Sequence, residues 1–67
     1  MTIYVLFGEY ERSLMSTVLG AFDSEEKAIE YIQKNFENAK YNTVYDAWTA
    51  PVFHDSIELR IVQLEVQ

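Results

Sequence analysis

Cysteine is absent from the 67 residues, so neither a disulfide nor a thiolate-bound zinc can staple the fold. Glycine occurs twice, at Gly8 and Gly20, too far apart to build a phosphate-cradling loop. Proline, histidine and tryptophan occur once each. A single imidazole excludes the histidine-rich ligand sets common at catalytic zinc. Bases are scarce as well, with five Lys and Arg against eleven Asp and Glu, for a net charge of −6. That balance excludes a nonspecific phosphate-binding surface, which needs clustered cations. No apolar run approaches the roughly 20 residues of a membrane span. The N-terminal residues lack the basic start and apolar stretch of a signal peptide. A soluble cytoplasmic protein without direct nucleic-acid or membrane contact is the expectation.

What remains is rich in hydrophobic residues (49%) and aromatics (15%), a composition incompatible with a disordered tail. Residues 1–67 make one domain, and a chain this short buries only about 60% of the surface its unfolded form exposes. TIYVLFGEY (2–10) reads as a strand, with Ile3, Val5 and Phe7 on one face and Tyr4 and Leu6 on the other. SLMSTVLGAF (13–22) reads as a second strand across a short polar turn, and Gly8 and Gly20 mark bulges or close backbone approach.

FDSEEKAIEYIQKNFENAK carries the strongest local signal. Asp23 and Glu26 form a capping box, with Ser24 as an alternative cap. Ala28, Ile29, Ile32, Phe36 and Ala39 recur at helical spacing as one apolar stripe. Glu30 and Lys34 suit an i, i+4 ion pair, and the helix should end near Asn38. KYNTVYDAW (40–48) reads as a third strand, Thr49 to Asp55 as a loop around Pro51, and SIELRIVQLEV (56–66) as the last strand. In that strand Ile57, Leu59 and Ile61 share one face while Val62, Leu64 and Val66 share the other. A bulge near Ile61–Val62, or burial on different faces at the two ends, accounts for the change of phase. The resulting fold class is α+β: ββαββ, with one helix on one face of a four-stranded antiparallel sheet. One helix shields one face. The other would then carry some of Tyr4, Leu6, Tyr10, Met15, Leu19, Tyr45 and Trp48, more apolar surface than a monomer tolerates as one patch. A second copy, a partner or the 49–55 loop must cover it, and a homodimer is expected.

Chemistry is hard to place on this chain. The serines have one histidine to share and none sits in a nucleophile elbow, so no catalytic residue is assigned. His54, Asp55, Asp46 and Glu58 are the available metal ligands, and no metal or cofactor is expected. The unusual stretch is YDAWTAPVFHD (45–55). One reading tucks Trp48 under the helix and leaves Tyr45 at the rim. The other groups Trp48 with Pro51, Val52 and Phe53 as an acid-flanked contact surface, since Trp and Tyr dominate binding hot spots. Of the eleven acids, Glu9, Glu11, Asp46, Asp55, Glu58 and Glu65 fall outside the helical segment. They serve as solubility charge, or as a row along one edge that imitates a nucleic-acid backbone before a basic partner. The partner-binding candidates are accordingly Tyr45, Asp46, Trp48, Phe53, Asp55, Glu58, Glu9 and Glu11.

IYVLFGEYE, followed by VLGAFDSEEKAIEYI and a closing IVQLEV, resembles small phage- and prophage-type single-domain proteins. The shared features are an opening Tyr-Val strand, an aromatic-plus-Asp/Ser cap, an EEKA helix and a final strand. GAFDSEEKAIEYI is also similar to the strand-to-helix corner of HicB-like antitoxins, though the longer insertion before their cap is missing here. The first resemblance implies a non-enzymatic inhibitor of a host nucleic-acid enzyme or defence protein. The second implies an antitoxin-like regulatory module. A small-molecule-binding domain, which needs a pocket, is the remaining alternative.

Overall fold

The fold is known from a computed structural model that describes residues 1–13 and 15–67. Its elements are β1 (Thr2–Tyr10), β2 (Ser16–Phe22), α1 (Glu25–Asn35), β3 (Lys40–Asn42), β4 (Ala47–Val52) and β5 (Asp55–Glu65). The strands form one antiparallel sheet in the order β2-β1-β5-β4-β3. Among the described residues the sheet thus has five strands, and the expected four-stranded ββαββ arrangement is incorrect. The segment expected to be one strand over 40–48 is two. Asn42 Oδ1 accepts a hydrogen bond from the Val44 amide at 2.9 Å, and Asp46 adopts a left-handed φ of 50°. Together they reverse the chain between β3 and β4, the local competition with extended structure that Asn and Asp favour.

The expected loop over Thr49–Asp55 is mostly β4. Pro51 sits within it opposite Ser56 of β5. Its missing N–H is harmless there because β3 pairs only with Ala47, Trp48 and Thr49, leaving the outer side of β4 unpaired beyond them. Only Phe53 and His54 make the reversal into β5, with His54 in the left-handed region at φ 59°. So the 45–55 stretch is a turn end, a strand and a tight hairpin. The expected start of the second strand includes Leu14, which lies outside the described residues; β2 begins at Ser16.

Leu6 faces Gly20 and Phe7 faces Val18, so Leu19 is an extra residue that bulges from β2. Gly8 receives it: a Cβ there would lie 2.8 Å from Leu19 Cδ1 and 3.0 Å from Ile57 Cδ1. β5 pairs with β1 without interruption from Ile57 to Glu65, so its change of phase is no bulge. Nor is it burial on different faces at the two ends: Ile57, Leu59 and Ile61 turn to the helix side, whereas Val62 and Leu64 lie on the opposite face and are exposed there.

The helix covers the face of Leu6, Ala50, Ile57 and Leu59, which with Ile32 form the core, and Ala28 is buried beside them. Phe22, Tyr31, Phe36, Trp48 and Ile61 pack around that core. The faces of β1 are therefore the reverse of the expectation: Leu6 is inward, and Ile3, Val5 and Phe7 line the open face. Ser24, rather than Asp23, is the N-cap and accepts from the Lys27 amide at 3.2 Å. Asp23 instead pairs with Lys27 at 2.9 Å, in place of the expected Glu30–Lys34 pair. The helix ends at Asn35, with extended Phe36 as C-cap, short of Asn38.

Candidate functional site

Strand register defines the open face. Ile3 opposes Leu64, Val5 opposes both Val62 and Ala21, and Phe7 opposes Val18. Opposed residues share a face, so these seven form one contiguous apolar area across β2, β1 and β5. Val18 is 59% exposed, Leu64 44% and Val62 40%, whereas Val5 is shielded by its neighbours. Further along the same face the lining turns polar. Glu9 opposes Glu58, Thr49 opposes Glu58, and Arg60 Nε donates to Glu58 Oε1 at 2.6 Å. Cross-strand like charges repel, and Arg60 neutralises one of the pair.

The candidate acids divide among several places. Glu9, Glu11 and Glu58 come together around a shallow hollow that Thr49 and Ser56 also line. Glu11 accepts from the Ser56 hydroxyl at 2.8 Å, and its amide donates to the Ser56 carbonyl at 2.9 Å. Asp55 lies at the same end, its carboxylate accepting from the Ser56 amide at 2.8 Å. Phe53 stands beside it at the hairpin tip, 90% exposed, with its ring 4.2 Å from that of His54. Glu65 is at the far end of β5, bound to the Met1 ammonium and the Thr2 hydroxyl. Asp46 is elsewhere again, accepting from the Tyr41 hydroxyl. Four of the six acids thus crowd one end of the sheet, and no single six-residue row exists.

Tyr45 and Trp48 occupy opposite sides. Tyr45 is exposed and lines a hollow on the open face with Ala47, Thr49 and Arg60. Trp48 packs against the core beside Ile61, its ring 5.5 Å from that of Tyr41. The grouping of Trp48 with Pro51, Val52 and Phe53 as one protruding surface therefore does not form: Trp48 and Val52 turn to the core, while Pro51 and Phe53 remain exposed.

A third hollow lies on the helix side, with a volume of about 310 Å³. Glu25, Ile29, Tyr41, Asp46, Trp48 and Ile61 line it. The Tyr41 pKa is raised above 10.0, first by its hydrogen bond to Asp46, then by desolvation and the negative charges of Asp46 and Glu25. Sequence reasoning missed Tyr41 and Glu25 because the turn that brings β3 beside β4 went unrecognised. It also missed the aliphatic face, although the change of phase at Ile61–Val62 was its signature.

No family model, curated protein or solved structure matches the chain. Among the described residues no three His, Asp or Glu side chains converge as a metal-binding group, and no helix is long and apolar enough to cross a membrane.

Proposed function

We propose that this protein is a protein-binding module rather than an enzyme, and that it works as a homodimer in which a second copy covers the open face. The observation that carries this reading is the contiguous apolar area of Ile3, Val5, Phe7, Val18, Ala21, Val62 and Leu64. A monomer seldom leaves such a patch beyond a few hundred Å² in water. The size of the face supports a second copy as the occupant. The molecule measures 40 × 22 × 22 Å, and an eleven-residue strand such as β5 spans about 36 Å at roughly 3.3 Å per residue. A face on that scale matches the roughly 800 Å² per partner of a stable interface. Covering only the aliphatic half places the dimer at the weak end of that range, so dissociation on dilution is expected.

Such packing leaves the end bearing Glu9, Glu11, Asp55, Glu58 and Phe53 at the rim. There an exposed aromatic among carboxylates suits a partner with a basic surface, and charge complementarity speeds encounter and favours the right partner. A host nucleic-acid enzyme or defence factor with a basic groove is the partner class this reading favours.

Light scattering across a concentration series tests the dimer. The mass should rise from one chain toward two, and Leu64→Lys should hold it at one chain while the circular dichroism spectrum is unchanged. A mass of one chain throughout, for both proteins, overturns the reading.

A further inference from the structure

A helix is about 10 Å across, whereas five strands spaced about 4.8 Å apart are nearly twice as wide. Helix α1 rests on β2, β1 and β5 and stops short of β4 and β3. The unfilled step beside it is the 310 Å³ hollow on the helix side. Its walls are chemically uneven. Tyr41 and Trp48 both line it, their ring centroids 5.5 Å apart and their planes inclined at 55°. Ile29 and Ile61 supply apolar lining, while Glu25 and Asp46 bring two carboxylates and no Lys, Arg or His lines the space. Neither carboxylate takes part in the ion pairs found among the described residues.

We propose that this cleft binds an alkylammonium group, held between the Tyr41 and Trp48 rings and the carboxylates of Glu25 and Asp46. Aromatic faces attract cations through the ring quadrupole, most strongly for Trp. The carboxylates add charge, and the isoleucines take up the attached methylene or methyl groups. An anion meets two negative charges. Calcium finds too few oxygen ligands, since it takes six to eight. The volume sits at the lower limit of small-molecule sites, about 300 Å³, which suits one compact head group. The same group occurs on free amines and on the lysine side chains of proteins, and both present the chemistry the cleft recognises. The cleft lies on the side of the sheet away from the proposed dimer face, so its function stands or falls separately.

Trp48 is the chain's single tryptophan, so its fluorescence reports directly on the site. Titration with tetramethylammonium, choline and butylamine should give saturable changes, and the neutral choline isostere 3,3-dimethylbutanol should give none. Asp46→Asn, well suited to the left-handed conformation at that position, and Glu25→Gln should each weaken binding at least threefold with the fold intact by circular dichroism. Tyr41→Phe should retain binding, because the ring remains and Asp46 is released. A lysine-containing peptide that binds more tightly than free butylamine, and loses binding on lysine acetylation, identifies a protein side chain as the source. Preference for the free amines identifies a small ligand. Equal response to the neutral isostere, or no saturable response to any cation, overturns the proposal.

Discussion

Leu59 and Phe53 are six residues apart and differ in nearly every energetic respect. Leu59 is wholly buried between the helix and the sheet, while Phe53 is 90% exposed. Truncating a buried leucine loses transfer free energy and leaves a cavity, together about 2–5 kcal/mol. A chain of this length has total stability on the order of 3–10 kcal/mol. Leu59→Ala should therefore lower the urea midpoint drastically or abolish the folded baseline, whereas Phe53→Ala should stay within about 0.5 kcal/mol of the parent. Tyr41 makes stability depend on pH. An unfolded tyrosine releases its proton near pH 10, while the folded one, hydrogen-bonded to Asp46 beside a second carboxylate, holds it longer. Unfolding therefore releases a proton in that window, and raising the pH favours the unfolded chain. The stabilisation is complete below about pH 10 and is lost as pH climbs through the folded value. Alkaline titration by tyrosinate absorbance should show a late phase for Tyr41, and Asp46→Asn should move that phase to lower pH.

At the scale of elements, the helix depends on its entry. Ser24 satisfies an otherwise unpaired amide of the first turn, so Ser24→Ala should cost about 1 kcal/mol. Asp23→Ala removes only an exposed ion pair with Lys27 and should cost less than about 0.5 kcal/mol. Equilibrium urea unfolding of the two variants distinguishes the cap from its neighbour; equal losses would mean that Asp23 shares the capping. The helix was legible in the sequence because its stripe and cap are local signals. The two candidate caps were adjacent, and choosing between them required backbone dihedrals. β4 was not legible: Pro51 reads as a strand breaker, and only an unpaired outer edge makes it harmless. That edge exists because β3 is three residues long, a fact of the sheet and not of the segment.

For the molecule as a whole, the helix side holds the densest packing and the opposite side holds exposed aliphatic surface. If a second copy occupies that surface, assembly stabilises the folded state by mass action. The melting temperature should then rise with protein concentration for the parent chain and remain constant for Leu64→Lys. Scanning calorimetry over a hundredfold concentration range checks this, and a constant melting temperature for both proteins counts against assembly. The acidic end belongs to the same scale. Glu9 and Glu11 come from β1 and the turn after it, Asp55 and Glu58 from β5, and antiparallel pairing alone brings them together.

The sequence by itself determined the helix, the β character of the first and last strands, the excess of acid and the surplus of apolar side chains over what one helix can shield. These follow from local periodicity and composition, which need no partner strand to be read. Only the tertiary structure decided which face of the sheet the helix covers, because a strand with apolar residues on both sides fits either way up. Leu6 shares its face with Ile57, Leu59 and Ile61 of β5 and with Trp48 and Ala50 of β4, and no acid of these strands interrupts that face between them, whereas the face of Ile3, Val5 and Phe7 turns to acid at Glu9 and Glu58. Packing follows the uninterrupted floor, and the apolar stripe left on the other side is what the proposed partner copy covers.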